Sequence, residues 1–347
     1  MATCFFEGKE HAALYQKYRP CAPTETNSLI LKYLEKKKGK PFILAVDVGC
    51  GSGQSSRGLA PFFDTVVGVD VSEAQIEEAK KTCGLDNVSY RQGVAEKLDF
   101  QDASVDLVTA AAAAHWFDVE TFLKEVDRVL KPKGCLALHN YQLPFAMHYN
   151  NCSEHLTQIV EELFERFEPY KSERTQMSWN KYKEIFEAIT FLDKERILTH
   201  QQLDLPDTGV FYYNRNTLTA HRVDNILIKH RVSISWIMGF IKSLSSYQTF
   251  LKKDPEAAKS LLEITEQRLL QAMGVSSNDT VVEITMNYFC LLASKPEKIK
   301  KYNRIYKQLY YLVKAAPADN DSLSTTFQIA NLLNYFSFST PSACWCQ

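Results

Sequence analysis

The stretch Asp47-Val48-Gly49-Cys50-Gly51-Ser52-Gly53 constrains this chain of 347 residues more than any other. It follows an apolar run at 42–46 that predicts a buried strand, and it precedes residues 54–59, which predict the first turns of a helix. Glycines in such a turn allow positive φ and let a ligand approach the backbone closely. A strand, a glycine-rich turn and a helix N-terminus together form a cradle for a nucleotide or a cofactor.

The spacing of the glycines and one acidic residue indicate which ligand the cradle takes. A dinucleotide fingerprint would place glycines as G-x-G-x-x-G, but the third glycine is Gly53 and position 54 is glutamine. The carboxylate of Asp47, at the end of the strand, would repel a pyrophosphate and attract an ammonium group. The pattern therefore favours a ligand with a cationic amino-acid end, such as S-adenosylmethionine (SAM). The alternative is a tight strand-to-helix turn without a ligand.

A second acid supports a ligand with a ribose. Asp70 ends the next apolar run, 65–69, and so lies at the tip of the second predicted strand. A carboxylate there can accept hydrogen bonds from both ribose hydroxyls. NAD needs the same acid, so it is Asp47 and the glycine spacing that distinguish SAM from NAD. A helix-capping role for Asp70 is the alternative.

The glycine stretch resembles motif I of class I SAM-dependent methyltransferases, and residues 42–141 are similar to the core of that family. The resemblance implies SAM as cofactor and methyl transfer as activity. Many relatives carry an aspartate where Val94 stands, so here the backbone at Ala95, with Glu96, is expected to bind the adenine. Cys50 is interpreted as packing rather than as a nucleophile. The predicted cofactor-binding residues are Tyr18, Asp47, Gly49, Cys50, Gly51, Gly53, Asp70, Val71, Val94, Ala95 and Glu96.

The segment before position 20 carries a second resemblance. Residues 9–19 predict a short helix that Pro20 stops. The pattern H-x-x-x-Y-x-x-Y-R-P is similar to the N-terminal segment of small-molecule methyltransferases resembling trans-aconitate methyltransferase, where it lies over the bound SAM. By this resemblance Tyr15, Tyr18 and Arg19 border the site. The alternative is an amphipathic helix that uses its tyrosines as core.

The end of strand four faces the acceptor in this architecture. Its form A-x-x-A-x-H-W-F-D, at 110–118, resembles small-molecule enzymes and lacks the N-P-P-Y type of signature used on bases or glutamine amides. His115 is predicted to act as a general base or to hydrogen-bond the acceptor, with a structural histidine as the alternative. Arg19 and His115 are the predicted catalytic pair and hold an anionic acceptor from opposite walls. Tyr15 and Trp116 are predicted to contact the substrate, and Trp236, Ser245 and Tyr247 lie where relatives build an acceptor pocket; packing in the core is the alternative for these.

Alternating strands and helices predict an α/β fold, a Rossmann-like doubly wound seven-stranded sheet with an N-terminal lid helix and a mainly helical acceptor-side insertion. We expect helices at about 179–190 and over 233–251, a strand-like alternation at 195–205 and a last antiparallel strand at 281–292. The predicted organisation is lid helices at 1–40, the SAM-binding core at 41–141, the insertion and closing strands at 142–295, and a tail of unassigned role at 296–347.

The composition of the chain limits the binding partners and the cellular compartment that we expect. The net charge of −1 gives no wide basic field, which disfavours nucleic acid. The nine scattered cysteines, without a C-x-x-C pair, argue against a disulfide scaffold or a zinc site and for a reducing compartment. With no secretory h-region and no membrane-spanning apolar run, we expect a cytoplasmic monomer that binds no metal. The rival functions are a methyltransferase with a protein or RNA acceptor, a SAM-binding protein without turnover, and an NAD-linked oxidoreductase.

Overall fold

The computed structural model describes residues 9–82, 84–189 and 219–296, all within one compact unit, Met1–Glu297. The strand predicted at 195–205 and the tail from 297 onward lie outside the described residues. The strands are β1 (Leu44–Val48), β2 (Thr65–Asp70), β3 (Val88–Gln92), β4 (Val105–Ala111), β5 (Leu130–Tyr141), β6 (Ala146–His148), β7 (Thr219–Ser233) and β8 (Val281–Ser294). The α-helices are α1 (Lys9–Tyr18), α2 (Thr24–Lys38), α3 (Gln54–Leu59), α4 (Glu73–Lys81), α5 (Val119–Val129), α6 (Ser153–Arg166), α7 (Glu173–Trp179), α8 (183–189), α9 (Ile234–Lys242), α10 (Ser245–Lys253) and α11 (Pro255–Met273).

One twisted sheet organises these elements. The strands β3, β2, β1, β4 and β5 are parallel in that order, and β8 pairs antiparallel with β5. The short β6 continues the β5 side of β8, and β7 pairs antiparallel along the opposite side. The predicted α/β class and closing strand are confirmed. Within the described residues the sheet has eight strands, however, where seven were predicted for the whole chain.

The two strands that were not predicted have weak sequence signals. β6 is only three residues long. β7 is long, but its register against β8 shifts between Val223 and Ile226, where Asn225 takes a φ of 62°. An extra residue in one strand interrupts the polar–apolar alternation by which a strand is recognised.

Helices cover both faces of the sheet. One face packs α2, α3 and α4 through residues such as Ile30, Leu59 and Ile76, and the other packs α5 and α8 through Phe122 and Ile185. Successive buried apolar residues along a strand belong alternately to these two clusters, as a sheet buried on both sides requires. The carboxyl ends of the parallel strands are thereby left as the edge at which loops meet.

A third apolar cluster lies beyond this layered core. It joins α6, α9, α10 and α11 to β6 and to the first half of β8. The helix predicted at 233–251 is in fact two helices, α9 and α10, which are separated at Ser243 and Leu244. Among the described helices none is long and apolar enough to cross a membrane.

The helix predicted at 179–190 is also interrupted. Trp179 ends α7, and both Lys181 and Tyr182 take positive φ, of 52° and 56°, before α8 begins. The apolar residues that predicted one continuous helix face the core from two differently oriented segments. The turn between them places Tyr182 in the interior, fully buried.

Candidate active site

The glycine loop is built as a tight turn at the end of β1. The Gly49 N–H donates to the Val69 carbonyl at 2.7 Å, with a φ of 67°. A Cβ added to Gly49 would stand 2.5 Å from Cβ of Ala113, and one on Gly53 would collide with the Tyr90 ring. Position 49 therefore excludes any side chain for two reasons, the positive φ of its backbone and the contact that a Cβ would make with Ala113.

Asp70 holds the loop at the tip of β2. Its Oδ2 accepts the Gly51 N–H at 2.8 Å and its Oδ1 accepts the Ser72 N–H at 2.8 Å. Burial raises the pKa of Asp70, and these two backbone hydrogen bonds oppose that rise. Each carboxylate oxygen has a second lone pair, so both remain able to accept a ribose hydroxyl.

Asp47 lies at the bottom of the cradle and is fully buried. Its Oδ2 accepts the Ser56 hydroxyl at 2.6 Å, while its Oδ1 has no hydrogen-bond partner among the described residues. The pKa of Asp47 is raised to about 7, because burial and the Asp70 carboxylate raise it by more than the Ser56 hydrogen bond lowers it. A buried acid with an unsatisfied oxygen fits the ammonium group of SAM, which would supply both a donor and a countercharge.

The affinity for SAM should therefore depend on pH through Asp47. Its ammonium partner requires the ionised carboxylate, so affinity should fall by up to tenfold per pH unit below a pKa of about 7. Calorimetry between about pH 5.5 and 7.5 avoids deprotonating the α-amino group of the ligand. The control ligand is 5′-methylthioadenosine, which lacks the amino-acid end and should show no such fall. A parallel fall for both ligands would contradict the assignment.

The residues predicted around the adenine lie on exposed turns beside β2 and β3. Val71 and Val94 are each 41% exposed, whereas Ala95 is buried. One carboxylate oxygen of Glu96 accepts the Asp118 N–H at 2.7 Å, which ties this turn to the start of α5. Cys50 is buried, and burial raises the pKa of its thiol well above the usual range, consistent with packing.

The N-terminal helix α1 crosses the glycine loop. Gln54 donates through Nε2 to the carbonyls of Gln16, at 3.0 Å, and Arg19, at 3.3 Å. The Tyr15 ring lies 3.6 Å from the position that a Cβ on Gly51 would take. The ring of Tyr18 instead packs against the backbone of Gly239 in α9. Tyr15 therefore lies at the cofactor cradle, and Tyr18 joins the lid to the acceptor side.

Arg19 connects the lid to α9 and β5. Its Nε donates to the Ser243 hydroxyl at 2.8 Å, its Nη2 to the Ser243 carbonyl at 3.0 Å, and its Nη1 to the Tyr141 hydroxyl. The guanidinium lies between the rings of Tyr15 and Phe240, at 4.8 and 5.3 Å from their centroids. Within the described part of the chain these partners are all neutral, so its positive charge has no acidic counterpart among them.

A cavity of about 90 Å³ opens beside these residues. It brings Arg19 and His115, the two predicted catalytic residues, onto one enclosed surface, together with Tyr15, Trp116 and Ser245. The described residues that line it include two cations, Arg19 and Lys171, and no carboxylate. The full lining is Tyr15, Arg19, Ala112, His115, Trp116, Asn140, Tyr141, Leu143, Phe164, Lys171, Thr175, Ser178, Trp179, Leu244, Ser245 and Ser246.

His115 is nearly buried, and its Nδ1 lies 3.1 Å from the Tyr182 hydroxyl. The pKa of His115 is lowered to about 3, mainly by burial and also by the charges of Arg19 and Arg174. The imidazole is therefore neutral at physiological pH and is a weak base. This environment favours a hydrogen-bonding role over proton abstraction.

Two predicted substrate residues do not line the cavity. Trp236 stacks on Phe240 with ring centroids 5.5 Å apart, and Tyr247 lies edge-on to Phe167 at 6.2 Å. Both rings belong to the apolar cluster of the acceptor side.

The structure adds residues to the site that sequence reasoning missed. Asn140 and Tyr141 end β5 and line the cavity, and Tyr182 stands behind His115. The first two lie at the carboxyl end of a parallel strand, the same signal that identified Asp47 and Asp70. Tyr182 has no comparable signal, because a turn at positive φ brings it in.

Comparisons with known proteins find methyltransferases. Residues 46–138 match the family described as methyltransferase domain. A Dictyostelium discoideum protein named as a methyltransferase is 29% identical over 282 residues, which are 81% of this chain and 92% of that one. A Saccharomyces cerevisiae protein named as a SAM-dependent methyltransferase is 31% identical over 147 residues, 41% of this chain and 49% of its own. This chain therefore spans about half the length of the second relative.

A solved structure described as a type II methyltransferase, from Anaeromyxobacter dehalogenans, shares the fold. It aligns with a TM-score of 0.59 at 23% identity, covering 81% of this chain and 99% of that one. The fold, the cradle and the matched domain support a class I SAM-dependent methyltransferase. The protein is accordingly a transferase that uses SAM as its cofactor. The names of these relatives do not state which molecule accepts the methyl group.

Proposed function

We propose that this methyltransferase acts on a small anionic acceptor, in particular a carboxylic acid. The observation that carries the proposal is the charge of the cavity. Arg19 offers a guanidinium whose described partners are neutral, and no carboxylate belongs to the described lining. An anion would complete the charge balance of this surface, whereas a cationic acceptor would be repelled.

The chemistry suits this acceptor. A carboxylate oxygen forms a bond to the methyl carbon as the carbon–sulfur bond breaks, and the electron pair of that bond remains on sulfur. The sulfonium becomes a neutral thioether, and no proton has to be removed. A site with a neutral histidine of pKa about 3 therefore needs only to orient the acceptor and exclude water.

The size of the cavity supports a small acceptor over a protein or RNA. The lid helix α1 lies across the glycine loop, and the cavity has a volume of about 90 Å³. The similarity of the lid segment to trans-aconitate methyltransferase-like enzymes points the same way. A cytoplasmic, monomeric protein remains our expectation from sequence.

The direct test supplies methyl-labelled SAM with a panel of short carboxylic acids and their matched amides, followed by mass analysis of the products. We expect labelled methyl esters from acids and no product from amides. Methylation of amines, of RNA or of a protein alone would overturn the proposal. SAM binding with no turnover across metabolite extracts would instead support a binding protein.

Replacing Arg19 by glutamine should raise KM for the acid by about 10–100-fold, because a charge-assisted bond is worth about 1.5–3 kcal/mol. Arg19→Lys keeps the charge without the planar fork and should recover only part of the loss. The affinity for SAM should change little. Lys17→Gln, which removes an exposed cation from the same helix, is the matched control. An equal effect of Lys17→Gln would contradict a specific role for Arg19.

A further inference from the structure

We infer that Asn140 and Tyr182 are positioning residues that fix His115 as an Nε2–H donor toward the acceptor cavity. The inference rests on the proposed function and deepens it. In this inference His115 holds an unprotonated oxygen of the acceptor. A relay of hydrogen bonds behind His115 determines which of its ring nitrogens carries the proton.

The relay begins at Asn140, whose orientation is determined by its neighbours. The Tyr141 backbone N–H lies 2.8 Å from Oδ1 and can only donate, so this atom of Asn140 is the carbonyl oxygen. The amide nitrogen then faces the Ser178 hydroxyl at 2.7 Å and the Tyr182 hydroxyl at 3.1 Å. Asn140 therefore donates to Tyr182.

The hydroxyl proton of Tyr182 has one described acceptor. Tyr182 is fully buried, and its described hydrogen-bond partners are two donors, the Asn140 amide and the Ala114 backbone N–H, and the Nδ1 of His115, at 3.1 Å. A proton on Nδ1 would leave the hydroxyl proton without an acceptor in a dry interior, which is costly. The Tyr182 hydroxyl therefore donates to Nδ1, and the proton of the neutral ring is on Nε2.

The backbone conformation at Tyr182 supports its role as a positioning residue. Lys181 and Tyr182 both take positive φ, which residues with a side chain rarely adopt. Such strain persists where the surroundings determine it, and the Tyr182 ring is also held edge-on against Phe289 at 5.1 Å. The turn between α7 and α8 thus delivers one hydroxyl to one histidine nitrogen.

As a consequence, His115 presents a hydrogen-bond donor to the cavity, which selects an acceptor with an unprotonated oxygen. Because Nδ1 is engaged by buried Tyr182, Nε2 is the ring nitrogen left for the cavity that His115 lines. An Nε2–H holds one oxygen of a carboxylate, while the second oxygen stays free to attack the methyl carbon. An acceptor that must lose a proton at its reacting atom finds no base in His115, so neutral alcohols are disfavoured.

The tautomer can be read without turnover. Long-range ¹H–¹⁵N correlation spectra of ¹⁵N-histidine-labelled protein, with the His115 signal identified by its loss in His115→Gln, should show Nδ1 unprotonated and Nε2 protonated. Tyr182→Phe should move the ring toward a mixture of tautomers, and Tyr149→Phe, in a tyrosine outside the cavity lining, should leave it unchanged. A protonated Nδ1 in the wild type, or an unchanged tautomer in Tyr182→Phe, would overturn the inference.

The second arm adds acetate to the protein saturated with S-adenosylhomocysteine, with acetamide as the neutral probe. Acetate should shift the Nε2 signal of His115, and Tyr182→Phe should weaken that response several-fold while S-adenosylhomocysteine still binds. A response to acetamide equal to that to acetate would overturn the selectivity. Failure of esterification in the acceptor screen with the Nε2–H tautomer intact would count against the proposed reaction and not against the relay.

Discussion

Asp70→Ala should lower the affinity for SAM by about 10²–10⁴-fold, because it removes two hydrogen bonds to a charged acceptor, each worth about 1.5–3 kcal/mol. The same substitution releases the N–H groups of Gly51 and Ser72, both 2.8 Å from the carboxylate. The loop that contacts the cofactor therefore loses its anchor as well. Titration calorimetry with SAM measures the loss directly.

Asp64→Ala is the matched control for this measurement. Asp64 is an exposed aspartate just before β2, at the end of the strand remote from the cradle. It should bind SAM as the wild type does. Circular dichroism of both variants confirms folding before the affinities are compared. Unchanged SAM affinity in folded Asp70→Ala protein would remove Asp70 from the cofactor site.

The cofactor half of the site was predictable because it depends on local sequence. A strand followed by glycines fixes where Asp47 points, and the end of β2 fixes Asp70, so neither needs a distant contact. Parallel strands then bring both acids to the same edge of the sheet. The structure places the two acids where this reasoning expected them.

The acceptor half depends on contacts that no local pattern specifies. Arg19 is held by Ser243, 224 residues away in the chain. Tyr182 shares helical spacing with Trp179, Ile185 and other apolar neighbours, so periodicity predicts one helix through it. The turn at positive φ interrupts that helix, and it follows from the packing of α7 and α8 rather than from their composition.

Asp106→Ala should destabilise the fold by about 3–5 kcal/mol, the cost of removing one partner of a buried ion pair. The side chain of Asp106 has no exposed surface, at the start of β4. Its Oδ2 accepts the N–H groups of Ile43 and Leu44 at 2.8 and 2.9 Å, and Lys38 and Lys131 lie 3.0 and 2.9 Å from Oδ1. One carboxylate thus joins α2, β1, β4 and β5.

The pH dependence of this contribution has a definite sign. Burial alone would raise the pKa of Asp106, but hydrogen bonds from the Leu44 backbone and from Lys131 and Lys38 bring it below its usual value. A carboxyl with a lowered folded-state pKa stabilises the protein above its unfolded pKa of about 3.9. That stabilisation is lost as the pH falls through the lower, folded-state pKa.

Urea unfolding of Asp106→Ala and Asp102→Ala separates this cluster from ordinary surface charge. Asp102 pairs with Arg128 at 2.8 Å, but its side chain is 79% exposed, so its loss should cost about 0–1 kcal/mol. Asp106 lies at the amino end of β4, away from the edge where the cradle opens, so folded Asp106→Ala protein should still bind SAM. Equal unfolding free energies for the two variants would show that the buried carboxylate does not hold these four elements together.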